Sequence, residues 1–256
     1  MVLFGSQLSE LESRLLDNMT KTRSVFPKEI QTIELGLALM SNVTTVTKEA
    51  VKDYENKPNL VANHNLFARN RQLLLNAYVC ALNSSYGTQF VIARTVLENN
   101  DLMRFFNRYP KHAFEWLSEE VQSRFSRDVQ LRYGKSKKKN ETFKPTAVRN
   151  RVFKETGKGR VKREIKEFYD QLCNYTHPNY LGWRELIGKH GEVEIILRKP
   201  RFILSNSDKS IGITLYLMQL SFKTFVETFK KYLKDFTTDL KVWQESYNKL
   251  IFRYVD

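Results

Sequence analysis

Residues 88–109 read TQFVIARTVLENNDLMRFFNRY. As a helix this stretch is apolar on nearly every side, the pattern of a helix enclosed by others in a bundle rather than one lying on a surface. Arg94 and Glu98, four residues apart, are neighbours on it. Phe90, Val91, Leu97, Leu102 and Phe105 project close to the same face. The pattern therefore sets a charged pair where burial is expected, on a helix that should be central.

Helical periodicity continues outward from it in both directions. Upstream, Leu8, Leu11, Leu15, Leu16 and Met19 mark a helix over 6–23, with Ser9-x-x-Glu12 as a capping box near its start. A second helix runs from Lys28 to about Tyr54, and a third from Leu66 to Ser84, where Asn83-Ser84-Ser85-Tyr86-Gly87 breaks it. Downstream, Trp116 to Leu131 predicts a helix with Ser118 as N-cap and Glu119 and Glu120 complementing its positive end. Thr146–Glu155 predicts a short helix. From Val161 another carries Ile165, Phe168, Tyr169, Leu172 and Cys173 on one side. Residues 208–234 and about 238–253 predict the last two, with Lys223, Lys230, Lys231 and Lys234 on the outer side. The good strand signal is WRELIGKHGEVEIIL, residues 183–197, which predicts a hairpin turning at Gly188-Lys189-His190-Gly191. The expected fold is mainly α: one domain over 1–256, a bundle of eight or so helices with a small β-hairpin at about 183–198.

The six prolines fall between these periodic segments, where a ring without an N–H does least harm to a helix. A hydrophobic content of 41% is ample for a buried core in a chain of 256 residues. Cys80 and Cys173 lack a Cys-x-x-Cys partner and lie in apolar helical contexts, which fits reduced core cysteines and a cytoplasmic setting. The first residues have no basic region followed by a signal-like apolar run, and no segment approaches the roughly 18 apolar residues of a membrane span. A soluble, cytoplasmic protein with no membrane partner is expected.

The charge is distributed unevenly. Residues 132–163 read RYGKSKKKNETFKPTAVRNRVFKETGKGRVKR, with thirteen Lys or Arg against Glu141 and Glu155, a net +11 of the chain's +14. A field concentrated in one segment attracts an anionic polymer far better than the same charge spread evenly, which makes nucleic acid the leading partner. Tyr133, Phe143 and Phe153 interleave the cations, as bases and phosphates together require. The residues expected to meet phosphates are Lys135, Lys137, Lys138, Lys139, Arg149, Arg151, Lys158, Arg160, Lys162 and Arg163. The same charges would suit an acidic protein, and a homodimer is a further partner to consider. The segment lacks the apolar face of a membrane-surface helix. Thr156-Gly157-Lys158-Gly159-Arg160 lacks the preceding strand and the spacing of a nucleotide phosphate loop.

Arg94, Glu98 and His177 form the other constellation. The helix bearing Arg94-Thr95-Val96-Leu97-Glu98 is followed by Tyr169-Asp170-Gln171-Leu172-Cys173-Asn174-Tyr175-Thr176-His177-Pro178. Over roughly residues 65–185 this resembles a helical prokaryotic family of unknown function, whose members show an Arg-x-x-x-Glu helix and a later Tyr-x-x-x-(small)-x-x-x-His-Pro segment. It is more distantly similar to the HEPN bundles, many of which are metal-independent ribonucleases using an Arg and a His four to six residues apart. The resemblance implies a role in defence or stress and slightly favours RNA over DNA. This chain departs from the HEPN pattern, because residues 172–176 before His177 contain no Arg. Arg184 and His190 match the spacing but fall in the expected hairpin, and are read as chance.

Two main expectations follow, a basic nucleic-acid-binding protein and a metal-independent endoribonuclease; a helical adaptor for an acidic protein is a third. In the nuclease, His177 would be general acid or base, Arg94 would stabilise phosphorane charge and Glu98 would orient either. Against it stands a structural polar network that fixes how the helices dock. No cofactor or metal is expected, since His64, His112, His177 and His190 are scattered and no ligand-like cluster appears.

Overall fold

The computed structural model describes residues 2–52, 57–134, 143–154, 166–173 and 203–251. They are mainly helical: α1 (Val2–Val25), α2 (Pro27–Lys52), α3 (Pro58–Leu82), α4 (Tyr86–Arg108), α5 (Pro110–Trp116), α6 (Glu119–Gln122), α7 (Arg127–Tyr133), α8 (Pro145–Lys154), α9 (166–173), α10 (Leu204–Phe229), a 3-10 turn (Lys234–Phe236) and α11 (Thr237–Ile251). Pro27, Pro58, Pro110 and Pro145 each occupy the first residue of a helix, where the missing N–H would have had no intrahelical partner. No strand occurs among the described residues; the hairpin expected at about 183–198 is not borne out, its span lying outside them. No helix among the described residues is long and apolar enough to cross a membrane.

The spine of the bundle is α3, α4 and α10, and its register can be followed through buried polar side chains. Tyr86 bonds Ser207 at 2.6 Å, Gln89 donates to the Ser210 carbonyl at 3.1 Å, Asn100 donates to Ser221 at 3.1 Å and Asn107 to Thr228 at 2.7 Å. Every one of these pairs is 121 residues apart, so α4 and α10 run parallel without slipping. The α3 partners run the other way: Asn63 donates to Asn107 and Asn70 to Asn100. The two layers that all three helices share, Asn63–Asn107–Thr228 and Asn70–Asn100–Ser221, are seven residues apart on each helix, the repeat of a coiled-coil seam.

The layer of Asn70, Asn100 and Ser221 is fully buried. Asn70 Oδ1 accepts from Asn99 at 2.8 Å, and its Nδ2 donates to Ser221 Oγ at 3.2 Å. Asn100 Nδ2 also reaches the Val96 carbonyl, and the Ser221 hydroxyl donates to Leu217. Satisfied in this way, the buried amides fix one alignment of three helices, since a shift of one would leave them without partners. Between the layers the packing is apolar: Phe67 stacks on Phe225 at a centroid distance of 3.8 Å, and Phe225 on Phe229 at 4.3 Å.

The remaining long helices cover this spine. Thr22 and Asn18 of α1 donate to the carbonyls of Leu82 and Asn83, completing the end of α3. The chain then reverses through Ser84 at φ 62°. Helix α2 meets α11 at Gly36, where an added Cβ would come within 2.1 Å of Met218 Sδ and 2.6 Å of Trp243 Nε1. That closeness lets the buried Trp243 donate to the Thr32 carbonyl at 2.9 Å.

The helix expected over Trp116–Leu131 is three short pieces instead. Ser118 does act as an N-cap, accepting from Val121, but only for the single turn of α6. Gln122 Nε2 takes the carbonyls of Phe114 and Leu117, and Gln130 Nε2 takes that of Phe125 at 2.7 Å, so side chains satisfy the groups freed by the breaks. The doubling back brings Phe125 within 5.6 Å and Tyr133 within 6.1 Å of Phe114, ring centre to ring centre.

Candidate functional site

On α4 the residues Arg94, Glu98, Asp101 and Phe105 follow one another at steps of four, three and four, which puts them on one face. This face lies toward α8 and α9. Arg94 Nε donates to Glu98 Oε1 at 3.0 Å. Their side chains retain 22% and 23% exposure, so the pair sits at the rim of the bundle and not in its interior as the apolar surroundings had implied. Phe90, Leu97 and Phe105 are buried beside it, while Val91 is exposed.

Helix α9 brings Tyr169 to the same carboxylate. Its hydroxyl donates to Glu98 Oε1 at 2.8 Å, so one oxygen receives both a guanidinium and a phenol. Two cations lie against the Tyr169 ring, Arg149 at 3.8 Å from its centroid and Arg94 at 5.2 Å. Burial, then the hydrogen bond to Glu98 and the Glu98 charge, raise the Tyr169 pKa above its ordinary 10.0. At neutral pH Tyr169 is therefore a donor and not a base. Burial works against the Arg94 charge, but the Glu98 bond and charge outweigh it and hold Arg94 above its ordinary value.

Asp101 and Arg149 extend the cluster inward. Helix α8 docks on α4 through the buried Val148 and Val152 and through Arg149, whose Nε donates to Asp101 Oδ2 at 2.9 Å. Arg149 Nη2 approaches the same oxygen at 2.8 Å without the geometry of a hydrogen bond, and Asp101 Oδ1 has no hydrogen-bond partner. Burial pushes the Asp101 carboxyl up, against the opposing pull of the Arg149 charge and hydrogen bond. Arg108 fastens the far end of α8, its Nη1 donating to the Val152 carbonyl at 2.8 Å.

The candidate residues divide accordingly. Arg94 and Glu98 are joined. His177 lies outside the described residues, eight positions beyond Tyr169. Of the ten basic residues assigned to phosphate contact, Lys135, Lys137, Lys138, Lys139, Lys158, Arg160, Lys162 and Arg163 also lie outside them. Arg151 is exposed, but Arg149 is buried and paired, which removes it from the phosphate-facing set. Its placement has a physical reason: Val148 and Val152 turn one face of α8 inward, and Arg149 follows Val148 onto Asp101. Sequence reading missed Asp101 and Tyr169 as members of the cluster. The signals were present, since Asp101 is seven residues from Arg94 on a helix and Tyr169 opens the Tyr…His-Pro segment.

Among the described residues no three His, Cys, Asp or Glu side chains gather as a metal site. Comparison with protein-family models, with curated proteins and with solved structures gave no match.

Proposed function

We propose that this chain is a basic helical nucleic-acid-binding protein that engages RNA or DNA phosphates mainly through residues 132–163. The observation that carries the reading is the net +11 held within that segment. The docking of α8 supports it, because a charged segment anchored to the central helix presents its cations at less entropic cost than a loose one. Fluorescence anisotropy with labelled RNA and duplex DNA across a salt series tests it. With six or more phosphate contacts, affinity falls about 10³-fold between roughly 50 and 200 mM salt. The combined change Lys137→Ala, Lys138→Ala, Lys139→Ala weakens binding and leaves the thermal transition in place. Absent or salt-insensitive binding overturns the reading.

One contact favours a second reading, a metal-independent endoribonuclease. The Tyr169–Glu98 hydrogen bond links the two motifs of the family resemblance, Arg-x-x-x-Glu and Tyr…His-Pro. In this reading His177 exchanges the proton, Arg94 stabilises phosphate charge and Glu98 orients Arg94. Cleavage of RNA in EDTA by the wild type and not by His177→Ala supports it; intact strands with both proteins return the cluster to a docking role.

A further inference from the structure

We infer that His112 and Glu115 on α5 form a proton-transfer dyad that cleaves single-stranded RNA, His112 Nε2 taking the proton of a ribose 2′-hydroxyl while Glu115 holds the ring in place. The inference rests on the nucleic-acid reading above and gives it a base that does not depend on His177. His112 is the catalytic residue and Glu115 a positioning residue.

Local sequence sets the pair up. Pro110 opens α5, and Ala113, Phe114 and Leu117 are buried, which draws this short helix against the bundle. Glu115 goes inward with them, its side chain left 6% exposed. His112 precedes it by three residues, so the two share a face. The distance from Nδ1 to Glu115 Oε2 is 2.7 Å. A carboxylate only accepts, so Nδ1 carries the proton and Nε2 of the neutral ring presents its lone pair. Glu115 Oε1 makes no hydrogen bond, and Lys111 Nζ stands 3.9 Å from it, so the carboxylate is committed to His112. His112 Nε2 makes no hydrogen bond among the described residues, and the side chain keeps 23% exposure. A buried acid behind one ring nitrogen, with the other nitrogen open, is the arrangement that orients an imidazole as a base.

The surroundings select the substrate. The imidazole stacks on Phe105 at 5.2 Å with 15° between the planes, and Phe143 stands edge-on to it at 6.3 Å, so the ring plane is held from two sides. Phe143 belongs to the 132–163 segment, which puts the dyad beside the part of the chain that holds the strand. Arg151 of α8 is exposed and keeps its guanidinium 6.0 Å from the centre of the same Phe105 ring, a cation for the phosphate. RNA brings its own nucleophile next to every phosphate, so one oriented base is enough to begin cleavage. The 2′-oxygen bonds to phosphorus as Nε2 takes its proton, the bond from phosphorus to the 5′-oxygen breaks, and the leaving oxygen takes a proton from water. The hydroxide so formed recovers the proton from the imidazolium. The products are a 2′,3′-cyclic phosphate and a 5′-hydroxyl, and the step balances without a further reactant. DNA lacks the 2′-hydroxyl and stays intact.

The test incubates the full chain in EDTA with a labelled uridine 20-mer and with its deoxyuridine counterpart, resolving products on a gel and following binding by anisotropy. The wild type cuts the RNA strand alone and leaves cyclic phosphate ends. His112→Ala lowers kcat at least about 100-fold with Kd unchanged. Glu115→Gln keeps an acceptor for Nδ1 and removes the charge; it lowers kcat at least about tenfold with KM unchanged, a split that a merely structural role would not give. Thermal melts confirm that each variant folds, and should His112→Ala unfold the protein, His112→Gln takes its place. Full activity in a folded His112 variant overturns the inference, whether or not His177→Ala has lost it. Binding by the wild type with both strands intact also overturns it and leaves the proposed function standing. Neither binding nor cleavage by the wild type overturns both readings.

Discussion

Glu98 Oε1 is held by two donors from different helices, and this makes it the best-defined acceptor on the outer face of α4. Neither donor gives up its proton near neutrality, so the arrangement orients and does not by itself transfer protons. A different side chain ties stability to pH. His64 is buried, bonded through Nδ1 to the Thr47 hydroxyl at 3.2 Å, and its pKa is lowered from 6.5 first by burial and then by the Lys48 charge. The unfolded chain therefore takes up this proton more readily than the folded one, so the stabilisation is complete above pH 6.5 and is lost as pH falls through the lowered folded value. Urea midpoints at pH 8 and 5.5 should fall with acidification in the wild type, and the fall should be smaller in His64→Gln. At this scale the sequence showed the Arg94–Glu98 pair through its spacing alone. Burial of Arg149 was not visible in that way, because it depends on the distant Asp101 and on which face of α8 turns inward.

Among the elements, the polar layers of α3, α4 and α10 decide alignment more than the apolar packing does. Asn70→Ala leaves Asn99 Nδ2 without its acceptor and takes one donor each from Asn100 and Ser221, all in a dry layer. The expected loss is about 2–3 kcal/mol, read from the midpoint of urea unfolding. The long helices were legible because apolar periodicity over more than twenty residues leaves little room for another answer. The region from Trp116 to Tyr133 was not, since its periodicity continues through breaks made by tertiary contacts. A local warning existed in Ser118, Ser123 and Ser126, whose hydroxyls compete for backbone groups and favour caps over helix interiors. The asparagines at 63, 70, 100 and 107 were legible as residues but not as a ladder, because nothing in one helix announces which partner lies across from it.

For the molecule as a whole, Gly36 controls how closely α2, α10 and α11 converge. Replacing it by Ala raises helix propensity by about 1 kcal/mol. The new methyl would displace Met218, which can yield, and Trp243, which is buried and committed to the Thr32 carbonyl. Overpacking of this kind costs about 1–3 kcal/mol and the lost hydrogen bond about 1 more, so the change should lower stability by about 2 kcal/mol and Tm by roughly 4–8 °C in a thermal melt. The parallel course of α4 and α10 has a consequence of another kind. Two neighbours pointing the same way require a long connection between Arg108 and Leu204, of which α5 to α9 are among the described residues. In sequence all of 132–163 falls within that connection, so charge and architecture are written in separate parts of the chain. Lengthening, trimming or recolouring that connection alters what the molecule adheres to, while the spine keeps its alignment and meets it at Glu98, Asp101 and Arg108.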